Sequence, residues 1–323
     1  MEISVILPLI DRRNCGWRAL QSALEQTLAR ERYDVVAVLG QESGVDPGDD
    51  AELRALLAQC DAVVRLPTAA GVVENEILFF LAGYQRSRGQ LLLFMEGHTV
   101  LQPQCCALIV DHFARHRGSE LAFAPRINHQ ATPLGKLVAL HNVRHEALTR
   151  DATSFSLGAS HVISRALFER ADGLDPRYLR YSEAVLSERL ARAGVTQSMI
   201  AEPLAIHYND FSLRHLLDIT RAFGLAKFRY WNAGAPHHNT GEAQAQILEL
   251  ANRAWGAALL LPFAEVGGTL LLASATQLAH ISVRAAYRLY RLGLRCTLLA
   301  GFCQARLRQG MAAARVGAYT GND

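Results

Sequence analysis

This 323-residue sequence predicts an α/β fold, with a mostly parallel central sheet, helices on both faces and a C-terminal helical region. Three observations carry that expectation. Short apolar runs of strand length alternate with stretches of helical period from residue 4 to residue 116, the pattern of repeated βαβ units. The central run, Leu91 to Met95, is apolar throughout rather than alternating, as a strand covered on both faces must be. Beyond residue 230 the short runs give way to long apolar and arginine-rich stretches, so two regions are expected, residues 1–230 and 231–323.

The elements follow in order. Residues 4–9 are a first strand closed by Pro8, and residues 17–29 place Leu20, Ala23, Leu24 and Leu28 at helical spacing. Residues 33–40 form a second buried strand, 41–50 a polar loop, 51–60 a helix, 62–66 a third strand and 74–88 a helix. Leu91-Leu92-Leu93-Phe94-Met95 is the central strand, with a helix over 104–116 after it. The pattern then loosens into a strand at 121–125, an irregular or weakly helical stretch at 132–145 and an extended segment at 156–163 that turns at Gly158. A short helix at 164–171 stops at Asp172-Gly173, and an amphipathic helix at 182–193 stops at Gly194. A strand ending at His207 and a helix at 212–231 complete this region.

Composition bounds the function. Half the residues are apolar and 20% charged, which is globular rather than disordered, and a net charge of +3 gives no argument for a nucleic-acid partner. Six cysteines without CxxC or zinc spacing suggest reduced, buried thiols and a cytoplasmic chain. The start, Met1-Glu2-Ile3-Ser4-Val5, enters a strand directly and lacks the basic segment and cleavage site of a signal peptide. Cys105-Cys106 opens a helix, a position that lowers a thiol pKa. His112 and His116 are four apart without an identifiable third ligand, and His237-His238 sits in a Pro-Asn-Gly setting; helix surface and loop are the expectations. His161, beside the Gly158 turn, is placed to line the site, but the leading expectation is a partly buried, hydrogen-bonded histidine.

The chemistry gathers at Glu96-Gly97-His98. In open α/β sheets ligands bind beyond the carboxyl ends of the strands, which is where this triplet stands. In extended chain Glu96 and His98 point the same way, and Gly97 leaves room between them. Carboxylate plus imidazole suits a divalent cation such as Mn²⁺. The alternative is a strand end that merely meets solvent.

The order of parts over residues 1–230 resembles the family-two glycosyltransferases of GT-A fold. Ser4-Val5-Ile6-Leu7-Pro8 resembles their opening strand, and Leu20-Gln21-Ser22-Ala23-Leu24-Glu25-Gln26 their first helix. Gly83, Ser87-Arg88-Gly89 and the central strand follow the family's order up to its D-x-D pair, here Glu96-x-His98, which resembles the Glu-x-His form of divergent members. Gly158-Ala159-Ser160, Arg165 and Asp172-Gly173-Leu174-Asp175 are similar to the acceptor-side motif, and residues 182–194 to the helix that carries the catalytic base. Departures are equally plain. Leu39-Gly40 stands where paired aspartates hold the nucleotide, with Glu42 the nearest substitute; Phe80-Leu81 replaces Arg-Asn, and Ser182-Glu183 replaces Glu-Asp.

The resemblance implies an inverting transfer of a sugar from a nucleotide-diphosphate donor to a glycan or lipid-linked acceptor in polysaccharide biosynthesis. Glu183 would be the base, and Pro8, Glu42, Gly83, Glu96 and His98 would face the donor. Gly158, Ala159 and Asp175 would face the acceptor, and Glu96, His98 and His207 would hold Mn²⁺ or Mg²⁺. The alternative is a catalytically inactive, glycosyltransferase-like scaffold or binding protein. For Glu183 the plain reading is an acid complementing a helix N-terminus, and for Asp175 a turn residue.

The last third is apolar from 254 to 283, but Pro262, Glu265 and Gly267-Gly268 are expected to split it into two segments and disfavour a single membrane span. Arg284, Arg288, Arg291 and Arg295 then form a basic stripe beside Ile281, Ala285, Leu289, Leu292 and Leu299. A basic amphipathic helix points to an anionic membrane surface, here the inner face of the cell membrane. Packing within the chain or a homodimer is the alternative.

Overall fold

A computed structural model describes residues 1–10, 17–40, 50–67, 76–149, 161–233 and 242–320. The chain divides into two compact units, Met1–Asp210 and Phe211–Asp323. The boundary expected after residue 230 therefore falls inside a helix of the second unit.

The first unit runs β1 (Ile3–Pro8), α1 (Arg18–Leu24), β2 (Tyr33–Gly40), α2 (Ala51–Leu57), β3 (Ala62–Leu66), α3 (Glu76–Arg86), β4 (Leu91–Phe94), β5 (Thr99–Leu101), α4 (Cys105–Arg115), β6 (Leu121–Phe123), β7 (Arg126–His129) and α5 (Pro133–Thr149). After these come β8 (His161–Ser164), α6 (Arg165–Arg170), α7 (Ser182–Arg192), β9 (Ser198–Met199) and β10 (Ala205–Tyr208). A seven-stranded sheet has the order β3-β2-β1-β4-β8-β6-β9. Strands β3, β2, β1 and β4 are parallel, and β8 runs antiparallel to both β4 and β6.

Alternation along β1 sorts the helices onto the two faces. Ile3, Val5 and Leu7 pack with Leu20 of α1, Leu53 of α2 and Ile109 of α4. Ile6 points the other way, to Ile77 and Phe80 of α3, Leu167 of α6 and Leu186 of α7. Each such side chain, fully buried, contributes roughly 1.5–3 kcal/mol. Gly89 lets the chain entering β4 press against β1, since a Cβ there would lie 2.3 Å from the Ser4 nitrogen. Ser4 Oγ accepts from the Gly89 N–H at 2.7 Å and donates to buried Asp34, which also accepts from the Arg88 N–H at 2.9 Å.

The stretch expected as irregular or weakly helical at 132–145 is the helix α5, whose apolar residues lack a strong one-sided period. A second, three-stranded sheet of order β5-β10-β7 was not anticipated, because its strands are only three or four residues long.

The second unit holds α8 (Leu213–Asn232), α9 (Glu242–Asn252), α10 (Ala254–Leu278) and α11 (Val283–Thr320). Phe228, Leu248, Ala251, Ala257, Phe302 and Cys303 form its core, with the Phe228 and Phe302 rings edge to face at 5.1 Å. Helix α10 runs unbroken through Pro262, correcting the expected split. Pro262 and Ala258, whose carbonyl the missing N–H would have met, both lie on the exposed side. Glu265 turns inward and accepts from Gln304 Nε2 on α11. Helix α10 is long and apolar enough to cross a membrane, by length and composition only.

Candidate functional site

The polar cluster forms where β4 ends. Glu96 and His98 come together through a turn, closed by the Thr99 N–H on the Glu96 carbonyl at 3.0 Å, rather than along an extended strand. The turn feeds β5, which pairs antiparallel with β10 so that Thr99 opposes His207. On its other side β10 runs parallel to β7, setting His207 opposite Asn128. The small sheet is thus what carries His207 to the mouth of the large one.

Three donors converge there. His98 Nε2 and His207 Nε2 are 3.0 Å apart, and Glu96 Oε2 lies 3.4 Å from the first and 3.2 Å from the second. Both imidazoles are buried, and the carboxylate keeps about a quarter of its surface. Asn128 Oδ1 accepts from Asn209 Nδ2 at 2.9 Å and faces His207 Nδ1 at 3.4 Å, which puts the proton on Nδ1 and the lone pair on Nε2. Burial first, then the Arg126 charge, push His207 well below the ordinary imidazole range. Burial opposes the Glu96 carboxylate, but its interactions with His98 and His207 outweigh that and hold it well below the usual carboxylate range.

These donors fit a divalent cation. An octahedral ion with bonds of about 2.1 Å spaces neighbouring ligands about 3.0 Å apart, and a tetrahedral one with ~2.0 Å bonds about 3.3 Å. The observed triangle of 3.0, 3.2 and 3.4 Å has the size of one such face. Glu96, His98 and His207 form the one group of potential metal ligands found among the described residues.

Glu183 stands at the first turn of α7, in a pocket lined by Phe80, Phe94, His161, Ile163, Phe168, Leu174 and Leu186. The pocket holds about 30 Å³, room for a water. Burial in this aromatic setting, then the negative charges of Glu76 and Glu96, raise the Glu183 carboxyl to about 8. His161 lines the same pocket and meets Gln197 Oε1 at 3.2 Å, so it is both the hydrogen-bonded histidine expected and a wall of the site.

Sequence reasoning missed the surrounding charges. Arg126 lies 3.3 Å from Glu96 Oε2 and donates to Glu146 Oε1 at 2.9 Å, and Arg180 pairs with Glu76 at 2.8 Å. The alternation Arg126-Ile127-Asn128, polar at every second residue, was the one available signal for β7.

The remaining expected residues fall elsewhere. Gly83, assigned to the donor, lies in a helix–sheet seam, where a Cβ would come 2.4 Å from Ile6 Cγ2. Asp175, assigned to the acceptor side, accepts from Arg177 Nη2 at 2.6 Å and lies 3.6 Å from Arg189, so its carboxylate serves its own turn. Pro8 ends β1 opposite Val38. Glu42, Gly158, Ala159 and His237-His238 lie outside the described residues. Cys105 and Cys106 correct another expectation, since burial raises both thiols, Cys106 to about 12. His112 is buried rather than on the surface, bonded to Ser198 Oγ at 2.8 Å.

No family model matches the sequence, and no curated protein matches it. Solved structures do match in fold. A mannosyltransferase from Pyrobaculum calidifontis, in complex with GDP-Man and Mn²⁺, superposes with a TM-score of 0.57 at 16% identity, over 94% of this chain and 86% of that one. Residues 1–349 of S. aureus TarS, in complex with UDP-GlcNAc, give 0.50 at 11% identity, over 96% of this chain and 92% of that one. This chain therefore has the mixed α/β architecture of these structures, a largely parallel sheet clad in helices with a helical C-terminal region.

Proposed function

We propose that the protein is an inverting, metal-assisted glycosyltransferase that moves a sugar from a nucleotide diphosphate to a glycan or lipid-linked acceptor. The observation that carries this reading is the convergence of Glu96, His98 and His207 on one point beyond β4, with the raised carboxyl of Glu183 close enough to feel the Glu96 charge. The ligands in structures of similar fold, UDP-GlcNAc and GDP-Man with Mn²⁺, support the donor class.

In this reading Glu96, His98 and His207 would hold a divalent cation, which would supply positive charge to neutralise the departing diphosphate. Glu183, ionised, takes the proton of the acceptor hydroxyl as its oxygen bonds to the anomeric carbon. The bond from that carbon to the diphosphate oxygen breaks, and the electron pair leaves with the nucleotide. A single displacement of this kind inverts the anomeric centre. A base with a pKa near 8 combines a usable ionised fraction with a strong pull on the proton. Arg126 balances Glu96 and Glu146, and burial first, with the Arg126 charge beside it, keeps the imidazole of His207 neutral, as a metal ligand must be.

One observation favours a binding protein without transfer activity. Strand β2 ends in buried Leu39 and Gly40, which offer no carboxylate to a nucleotide. Thermal stability measured against a panel of nucleoside diphosphates, with and without Mn²⁺, separates the readings. A Mn²⁺-dependent rise with one nucleotide that His98→Ala removes is the expected result. No rise with any nucleotide would leave the scaffold reading in its place.

A further inference from the structure

The second unit presents an apolar surface that glycosyl transfer does not use. Trp255, Leu259, Phe263, Val266 and Leu270 of α10 are 60, 55, 72, 60 and 61% exposed. Their spacing of four, four, three and four residues puts them on one side of the helix. Ala258 and Pro262 fill the gaps, and Thr269, the polar side chain on this face, turns its hydroxyl back onto the Glu265 carbonyl at 2.9 Å. The opposite side is spoken for: Gly268 meets Thr297, and Leu272 meets Gly293, on α11. Contiguous exposed apolar patches of this kind are rare on soluble monomers.

Charge decides between occupants. Residues 211–323 carry twelve Arg and Lys against five Asp and Glu, leaving 21 against 25 in residues 1–210. A second copy of the chain would bring one strongly basic unit against another. An anionic lipid surface would instead be attracted. Arg284, Arg288, Arg291 and Arg295 are all exposed on the side of α11 turned away from Gly293, and hence from α10. The pair α10–α11 is thus apolar on one side and arginine-lined on the other, the polarity of a segment lying in a membrane interface. Immersing the pair across the bilayer would drag those four arginines into hydrocarbon.

We infer that the α10 face from Trp255 to Leu270 docks on the surface of an anionic lipid bilayer, lying in the interface without spanning it. This inference is independent of whether the protein transfers sugar, because its test reads binding alone. Full-length protein is mixed with vesicles of phosphatidylcholine, or of phosphatidylcholine with about one-third phosphatidylglycerol, and floated on a density gradient. Wild type should float with the anionic vesicles and more weakly with the neutral ones, and added salt should narrow that difference. The variant Leu259→Ser/Phe263→Ser should lose at least tenfold in vesicle affinity while keeping its helicity and unfolding temperature, because both side chains are exposed. Phe263→Leu, which keeps the face apolar, should bind close to wild type. Failure of wild type to float, or flotation of the serine variant at wild-type level, overturns the inference. So does a wild-type dimer that the serine variant turns monomeric with no vesicle binding in either, which would make a second copy the occupant.

Discussion

His98 and His207, 109 residues apart in the chain, face each other through their Nε2 atoms at 3.0 Å. Two imidazole nitrogens at that distance share one proton or yield to a cation. Because Asn128 draws the Nδ1 proton of His207, the shared proton belongs to His98 until an ion replaces it.

That arrangement sets a ranking of metal affinities. Asn128→Ala frees the His207 ring without removing a ligand and is expected to weaken Mn²⁺ binding by about 10–100-fold. His207→Ala should weaken it further. Isothermal titration with Mn²⁺ alone measures both, and equal affinities in all three proteins would dismiss the site.

Glu183 gives a prediction in pH. Only its ionised form accepts a proton, so the transfer rate should climb about tenfold per pH unit below about 8 and level off above it. Glu183→Gln should reduce turnover by about 10²–10⁴-fold.

The same group links stability to pH with the opposite sense from a salt-bridged carboxylate. Its folded pKa, about 8, exceeds the reference value of 4.5, so the native state favours the protonated acid. Native stability from this group is whole below pH 4.5, falls as pH rises towards 8, and is flat beyond. The fall is of order 1.4 kcal/mol per unit. Urea denaturation at pH 5 and pH 8.5 should show Glu183→Gln gaining a few kcal/mol on wild type at the higher pH.

Gly83 and Pro262 test packing. Gly83→Ala drives a methyl group into Ile6 and should cost roughly 1–3 kcal/mol, while nucleotide binding per folded molecule stays unchanged. A selective loss of nucleotide binding would return Gly83 to the donor side. Pro262→Ala should restore an N–H to the Ala258 carbonyl and stabilise the second unit by about 1–3 kcal/mol in thermal unfolding.

The sequence made the large sheet legible because β1, β2 and β4 are apolar runs, and a run of that kind has few homes other than a doubly covered sheet. Glu96, His98 and His207, which the structure groups, could be linked in the sequence only through the resemblance in motif order. Their geometry was not legible. Strands β5 and β7, three and four residues long, are too short to show a period, so the sheet that fixes His207 could not be foreseen. Arg126, Glu146 and Arg180 matter through partners distant in the chain, and no local pattern announces such pairs. Pro262 misled because a proline inside a helix costs a hydrogen bond and a steric clash without always ending the helix, and here the Ala258 carbonyl left without its N–H lies on the exposed side.

The pairing of β5 with β10 has a consequence for the order of folding. Closing it requires the chain between Thr99 and His207 to have collapsed, a long loop whose closure comes late in any pathway that builds local contacts first. The third donor of the cluster therefore arrives only when the first unit is nearly complete. An ion added during refolding should not accelerate the early phases; it should instead slow unfolding, as a latch that the finished molecule closes on itself.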